Sequence, residues 1–441
     1  MSLAVYVGGR EVARLEAMGD FKSSMTYGAE VAPEDFVSLT MRVRPDPYLW
    51  DDVLHPVFQM NLPEGYLLQV LQEKFGPHIG ASPMALLSVI GRNMIGRIQI
   101  ASSGADLDEP PKPIDVARLL QGDNSEEAFN ELVRQHATSG VSGVVPKFLD
   151  VDKLSKGPHK KATLFTHQHI IKGSSRLLPF VSLNEHLCMQ VAQRVMPAAR
   201  TEVSRDGHAL VVHRFDVDEN GARHWGMEDF CALLGLRPAA KYETTWERIA
   251  KAVRDHVPVV NRSTTFRHMA TLLLLTYALR NADCHAKNIA LLYTRHDDVH
   301  LAPAYDMITT AAYPDYQRNP PAIAFMGKKT WDPGKSLHTF ITATFGLPLR
   351  DQVEIVDQIA AAMVDVGPMV REAMEQHPGF VDIGKRMLLV WQEGINGLRD
   401  KRGYALAGAP LGEAFTGLSE PGHVKPTHAV IGRSDLLGRS K

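Results

Sequence analysis

The stretch from Met269 to Leu279, with Leu272 to Leu275 in succession, is the most apolar run in the chain, and it gives way at Arg280. It is about half the length a bilayer span needs, so it reads as a helix buried inside a protein. A polar segment follows: Arg280-Asn281-Ala282-Asp283-Cys284-His285-Ala286-Lys287-Asn288. Asn288 to Tyr293 then reads as a strand, Arg295 to Asp298 as a polar hairpin, and Val299 to Ala302 as the returning strand. Asp306 comes directly after, in Ala302-Pro303-Ala304-Tyr305-Asp306. Buried helix, polar loop, hairpin and aspartate in that order are hard to assemble by accident.

The rest of the chain supplies a β-rich half before this helical one. Ala4 to Val7, the Gly8-Gly9 turn and Glu11 to Ala13 read as a hairpin, and the alternation over Phe36 to Val43 predicts a further strand. A helix opens after Pro63-Glu64-Gly65, and Ser102 to Pro113 is an acidic, Pro-rich linker. Ala162 to Thr166 and His169 to Lys172 predict adjacent strands, Asn184 to Met196 a helix, and Ala209 to Phe215 another strand. Helices then dominate: Thr244 to Val257, Ser263 to Arg280, Gln352 to Val364 and Ile383 to Arg399. The expected division is a β-rich subdomain over 1–101, a linker over 102–116, a β-rich lobe over 117–232, a helical lobe over 233–402 and a loose tail over 403–441. This is an α+β, two-lobed architecture with its cleft at the join.

Length and composition limit the classes available. The 441 residues give a soft expectation of two or three domains. A hydrophobic fraction of 44% and a charged fraction of 22% exclude a mostly disordered chain and a collagen-like fibre. Lys plus Arg, 48, against Asp plus Glu, 50, excludes a strongly basic nucleic-acid scavenger. Cys188, Cys231 and Cys284 lie far apart with no C-x-x-C pair, so neither a disulfide framework nor a zinc ribbon is indicated. The opening residues lack a basic segment followed by an apolar one, so the expectation is a cytoplasmic protein with no membrane contact.

Asp283 and Asn288 stand five apart, the spacing of a protein-kinase catalytic loop. There the aspartate orients or accepts the hydroxyl proton and the asparagine holds Mg²⁺. Chance alone supplies about one such pair in a chain this long, so the context decides. Asp306, after the hairpin, sits where kinases place a second metal-binding aspartate. Two carboxylates and an amide are oxygen ligands suited to Mg²⁺, which keeps few protein ligands beside phosphate and water. Lys172 ends a strand in the β-rich lobe, where a kinase keeps the lysine that neutralises the α- and β-phosphates of ATP, and Glu185 at the start of the next helix is placed to pair with it. Upstream, Ser139-Gly140-Val141-Ser142-Gly143-Val144-Val145-Pro146-Lys147 has small residues that let backbone N–H groups approach phosphate. Asp283 is expected to be an exposed carboxylate in the cleft.

With these residues the chain resembles the HipA family of serine/threonine-kinase toxins, over almost its whole length to about Tyr404. The resemblance is carried by Asn61-Leu62-Pro63-Glu64-Gly65, Ser142 to Lys147, His169-Ile170-Ile171-Lys172, Asn184-Glu185, Glu228-Asp229-Phe230-Cys231, Lys241-Tyr242-Glu243, Asp283 to Asn288 and Tyr305-Asp306. It implies a protein-kinase-like fold whose first block is a family-specific subdomain. It also implies Asp283 as catalytic base, and Asn288 and Asp306 as Mg²⁺ ligands. Ser142, Gly143, Val144, Val145, Pro146 and Lys147, with Lys172, would contact the ATP phosphates. Glu228, Asp229 and Phe230 would form the hinge whose backbone binds adenine. His285 and Lys287 would lie near the γ-phosphate, and Tyr305 joins the nucleotide-binding set. Ser139 or Ser142 would be an autophosphorylation site, where a dianionic phosphate competes with ATP for the same N–H groups. Implied partners are a HipB-type DNA-binding antitoxin, operator DNA through that complex, and an aminoacyl-tRNA synthetase substrate, glutamyl-tRNA synthetase foremost.

The chain departs from related patterns in places. Val145 stands where a polar glutamine is common in the loop, and there is no His-Arg-Asp, Asp-Phe-Gly or Ala-Pro-Glu. Two other readings use the same residues: a small-molecule phosphotransferase of the aminoglycoside-kinase type, and a catalytically inactive kinase fold kept as a co-repressor. His167 and His169 lack the third ligand a metal site needs and read as a polar edge strand, and Cys284 reads as packing.

Overall fold

The computed structural model describes residues 1–441 save 20–21, 53, 63–64, 81, 106, 108–113, 140–161, 332–333, 407–410 and 420–441. The first layer is an antiparallel sheet of β1 (Ser2–Val7), β2 (Arg10–Ala17), β3 (Ser23–Tyr27), β4 (Tyr48–Trp50) and β5 (Ile98–Ala101), in the order β4-β3-β2-β1-β5. Helices α1 (Pro56–Gln59), α2 (Gly65–Ile79) and α3 (Pro83–Ile90) lie between β4 and β5 in the chain. Gly8 and Gly9, both at positive φ, close the β1–β2 hairpin as the sequence predicts. One face of the sheet buries Leu3, Val5, Leu15 and Met25 against Val57, Phe58 and Leu87, which makes a core of its own.

The alternating stretch Phe36 to Val43 is not a strand. Only an isolated bridge, Ser38 to Met41, forms there. Phe36, Val37, Leu39 and Met41 are buried, but side chains take up the backbone groups. Tyr27 Oη accepts from Val37 N at 2.7 Å and donates to Met41 O at 2.6 Å, while Leu39 N donates to Glu228 Oε1 at 2.7 Å. With those groups satisfied, no neighbouring strand is needed.

After α4 (Val116–Gln121) and α5 (Glu126–Ser139) comes a second antiparallel sheet of β6 (Ala162–Phe165), β7 (His169–Gly173), β8 (Thr201–Val203) and β9 (Ala209–His213), ordered β6-β7-β9-β8. Helix α6 (Val181–Val195) connects β7 to β8. A small sheet at the join runs β10-β11-β12, from Gly226–Asp229, Ala290–Arg295 and Asp298–Leu301. Between β10 and β11 stand α7 (Phe230–Leu233), α8 (Trp246–His256) and α9 (Val259–Leu279). After the sheet come α10 (Gly334–Phe340), α11 (Leu349–Gln376) and α12 (Val381–Arg399). Helix α9 carries the apolar run and is buried on all sides from Met269 to Leu279, its exposed residues lying in the N-terminal turns. A Cβ at Gly394 would collide with the carbonyl of Ala278, so glycine lets α12 cross α9 at close range. The largest core is made here, among α6, α8, α9, α11 and α12.

Part of the segment expected to be loose is packed: Tyr404, Leu411 and Phe415 are buried, and Arg371 donates to the carbonyls of Ala414 and Thr416. Among the described residues, no helix is long and apolar enough to cross a membrane.

His55 is one of the buried histidines that tie this fold to pH. His55 caps α1, its Nδ1 accepting from Val57 N at 3.2 Å, and burial lowers its pKa to about 4. A ring that must accept at Nδ1 and is depressed in the fold contributes stability that is complete above its unfolded value, about 6.5, and lost as pH falls toward 4. His55→Asn keeps a capping acceptor without titrating. Between pH 7 and pH 4 its unfolding free energy should therefore drop by about 3 kcal/mol less than wild type in urea denaturation. Equal drops would remove His55 as a source of acid sensitivity.

Candidate functional site

The site begins with Lys172 on β7, in register with Thr163 on β6 and Leu210 on β9. Its Nζ donates to Glu185 Oε1 of α6 at 2.5 Å and to Asp306 Oδ1 at 2.7 Å. All three side chains are largely withdrawn from solvent, with Glu185 the deepest at 2% exposure. Burial by itself would push the lysine's pKa down, but the charges of Asp306 and Glu185 and their hydrogen bonds outweigh it and hold the amine above its ordinary value. The pairing of Lys172 with Glu185 read from the sequence is present, and Asp306 joins it.

Helix α9 ends at Arg280, whose φ of 52° turns the chain out of the helix. The loop that follows is wired internally. Asp283 N donates to Asn281 Oδ1 at 3.0 Å, His285 N to Asp283 O at 2.8 Å, and Asn288 Nδ2 to Asp283 O at 2.8 Å. Ala282 N donates to Thr310 Oγ1 at 2.9 Å, and Thr310 Oγ1 in turn donates to Arg280 O at 2.8 Å, which fastens the loop to the segment after Asp306. Asp283 is not exposed: it is 2% accessible, as is His285. Tyr242 Oη donates to Asp283 Oδ1 at 3.1 Å, and His285 Nε2 lies 3.7 Å from the same oxygen. Tyr242, whose ring meets that of His285 edge-on at 5.1 Å, covers the carboxylate.

Asp306 is reached through β11 and β12, the predicted hairpin. Ala199 N donates to Ala304 O at 2.8 Å and Ala304 N to Pro197 O at 2.8 Å, so the chain leaving the hairpin is strapped to the segment after α6. Asp306 itself has φ 56°, a left-handed conformation that costs a non-glycine residue of order 1–3 kcal/mol and is tolerated where the surroundings hold it. Tyr305 Oη donates to Lys287 O at 2.8 Å, linking this segment to the loop of Asp283.

Glu228 and Asp229 lie in β10, opposite Leu291 and Ala290, and Phe230 N donates to Ile289 O at 3.0 Å. The Glu228 carboxylate has a separate occupation. Fully buried, it accepts from Ser38 Oγ, Leu39 N and Tyr293 Oη, each at 2.7 Å, and so ties the first subdomain to the small sheet. Burial pushes its pKa up against the pull of those three donors. Asp229 caps α7 by accepting from Ala232 N at 2.8 Å. Lys287 is half-buried on the loop's short 3₁₀ turn.

Ser142, Gly143, Val144, Val145, Pro146 and Lys147 lie outside the described residues, and Ser139 is placed only as the last residue of α5. Cys284 is buried and its thiol pushed up to about 12 by that burial, which suits packing and not nucleophilic chemistry. His169 meets His213 ring to ring at 4.9 Å, and His213 Nε2 pairs with Glu202 at 2.6 Å, but no metal-binding group of three His, Cys, Asp or Glu occurs among the described residues. Asn288 and Asp306 nonetheless fit Mg²⁺ by donor chemistry. The Asn288 Nδ2 donates to the Asp283 carbonyl, so the amide oxygen is the atom that would meet a metal, and Asp306 would add a carboxylate. An amide oxygen and a carboxylate suit a metal completed by phosphate and water better than a dedicated protein cage. The sequence assigns Tyr242, within Lys241-Tyr242-Glu243, no task, since nothing local announces its contact with Asp283.

A β-rich lobe carrying a lysine–glutamate pair, joined through a small sheet to a helical lobe carrying a polar loop and a second aspartate, defines a two-lobed kinase-like fold. Comparison with known proteins makes the assignment specific. The chain belongs to the HipA family: the family model of the HipA-like C-terminal domain matches residues 139–366 and that of the HipA N-terminal domain matches residues 3–101. Among curated relatives, "Putative kinase Y4mE" of Sinorhizobium fredii is 29% identical over 339 residues, covering 70% of this chain and 78% of the relative. "Putative kinase Y4dM" of the same organism is 26% identical over 300 residues, covering 64% and 67%. Among solved structures, a chain of the Shewanella oneidensis toxin–antitoxin complex of HipA, HipB and operator DNA superposes with a TM-score of 0.63. It is 19% identical and covers 89% of this chain and 97% of that one, a likeness of fold.

Proposed function

We propose that the chain is an ATP- and Mg²⁺-dependent protein serine/threonine kinase and the toxin of a toxin–antitoxin module. The observation that carries this reading is the amine of Lys172 held between Glu185 and Asp306. A lysine held this way keeps its ammonium in one place, where the phosphates of a nucleotide would take it over in part from the two carboxylates. Asn288 and Asp306 would hold Mg²⁺, which when bound neutralises the charge on the transferring phosphoryl group. Asp283 would accept the proton of the attacking hydroxyl. The acceptor oxygen bonds to the γ-phosphorus, the bond from that phosphorus to the β–γ bridging oxygen breaks, and ADP leaves. Before that, the acceptor must take the place of Tyr242 at Asp283 Oδ1, a contact of 3.1 Å that is long for a hydroxyl on a carboxylate and so readily exchanged.

Ser139, the last residue of α5, or Ser142 beyond it is the proposed autophosphorylation site. Membership of the family and the HipA–HipB–operator complex of the structural neighbour support a HipB-type antitoxin and operator DNA as partners. An aminoacyl-tRNA synthetase, glutamyl-tRNA synthetase first, is the proposed protein substrate on family resemblance. The test is intact-mass spectrometry of dephosphorylated protein incubated with Mg²⁺-ATP, followed by peptide mapping. One added phosphate on Ser139 or Ser142 is expected. An unchanged mass would shift the reading to a small-molecule phosphotransferase or a non-catalytic co-repressor.

A further inference from the structure

Asn184 precedes Glu185 on α6 and is fully buried. Its side-chain amide makes its two shortest bonds to the backbone of one residue: Nδ2 donates to Thr309 O at 3.1 Å, and Oδ1 accepts from Thr309 N at 3.0 Å, while longer contacts reach Tyr313 Oη at 3.5 Å and Cys188 Sγ at 3.4 Å. Two antiparallel bonds to one peptide segment fix its distance and its orientation together, as a ladder rung does between strands. Thr309 is itself held from a third element, since Trp391 Nε1 of α12 donates to its Oγ1 at 2.7 Å and Cys188 Sγ lies 3.3 Å from the same oxygen. Thr309, Trp391 and Cys188 are all fully buried.

Thr309 stands three residues beyond Asp306, and Met307 and Ile308 between them are buried at 1% exposure each. The bonds therefore close a ring. Lys172 reaches Asp306 and Glu185, Glu185 adjoins Asn184 on one helix, Asn184 grips Thr309, and the chain from Thr309 returns to Asp306. Lys172 steadies the Asp306 side chain, and Asn184 steadies the backbone that carries it at a left-handed φ.

We infer that Asn184 is a positioning residue for the metal-binding carboxylate of Asp306, an inference that rests on the kinase reading above. It touches neither metal nor nucleotide, but sets the backbone from which Asp306 projects. Groups that orient a metal ligand typically change metal affinity by 10–100-fold when removed.

The experiment measures ATP binding to the full chain by isothermal titration calorimetry, once with Mg²⁺ and once with EDTA. In wild type Mg²⁺ should tighten ATP binding. In Asn184→Ala that tightening should shrink by about tenfold, with the affinity in EDTA unchanged. Tyr313→Phe is the packing control, because it loses the Tyr313 contacts to Pro179 O and to Asn184 but leaves both Asn184–Thr309 bonds. It should keep the wild-type ratio. If Asn184→Ala does not fold, Trp391→Phe decides, since it frees Thr309 from the α12 side and should lower the same ratio by a smaller factor. A folded Asn184→Ala with a lower melting temperature and an unchanged ratio would make the residue a packing element and overturn the inference alone. A wild type whose ATP affinity ignores Mg²⁺ would overturn the metal assignment itself.

Discussion

Asp283→Asn is expected to reduce phosphoryl transfer by about 10²–10⁴-fold, the range a general base contributes. Asparagine is the informative replacement because the carboxylate is 2% exposed and packed beneath Tyr242 and beside His285. It keeps the shape and an oxygen to accept from Tyr242, whereas the longer glutamine would have to displace its neighbours. What it removes is the capacity to take a proton. Nucleotide binding should survive, since in this reading Asp283 contacts neither phosphate nor metal. Transfer of label from γ-labelled ATP, alongside an ATP-binding isotherm, separates the two effects. Activity within a few-fold of wild type would remove Asp283 from the mechanism.

Lys172→Met should have the largest effect on the fold as well as on activity. It leaves Glu185, 2% exposed, and Asp306, 19% exposed, without the ammonium that lies between them. Removing one member of a buried ionic cluster typically costs about 3–5 kcal/mol. Because the lysine's pKa is raised in the folded state, its stabilising contribution is complete below the ordinary lysine value, about 10.4, and is lost only as pH climbs through the folded value. The gap between wild type and variant should therefore be level across neutral pH and close only in strong alkali. Guanidinium denaturation at pH 7 and pH 9 measures it. A gap under about 1 kcal/mol at both would show that the cluster does not need its cation.

What the sequence made legible was whatever local spacing controls. The hairpin after Asn288, the apolar helix before Arg280 and the Lys172–Glu185 pairing all depend on periodicity and turn chemistry within a few dozen residues. Phe36 to Val43 misled because alternation reports burial on two sides and not the partner that satisfies the backbone. Here the partners were side chains of Tyr27 and Glu228. The burial of Asp283 escaped notice because Tyr242, which covers it, lies 41 residues away in sequence. Asn184 and Thr309 are 125 residues apart, and no single-sequence pattern connects two such positions. The roles were therefore easier to read than the supports that hold them.

The carboxylate of Glu228 carries a lesson about inheritance. Family models divide this chain into an N-terminal and a C-terminal region, as though the two could be exchanged between relatives like cassettes. Ser38 and Leu39 from one region and Tyr293 from the other meet on that single acidic group, sealed from water. A crossover between the regions that brings in a segment unable to donate to Glu228 strands a buried carboxylate with one of its three donors. Natural recombination at that boundary is thereby restricted to partners that match at Ser38 and Glu228 together, and a protein engineer grafting one half onto another inherits the same restriction.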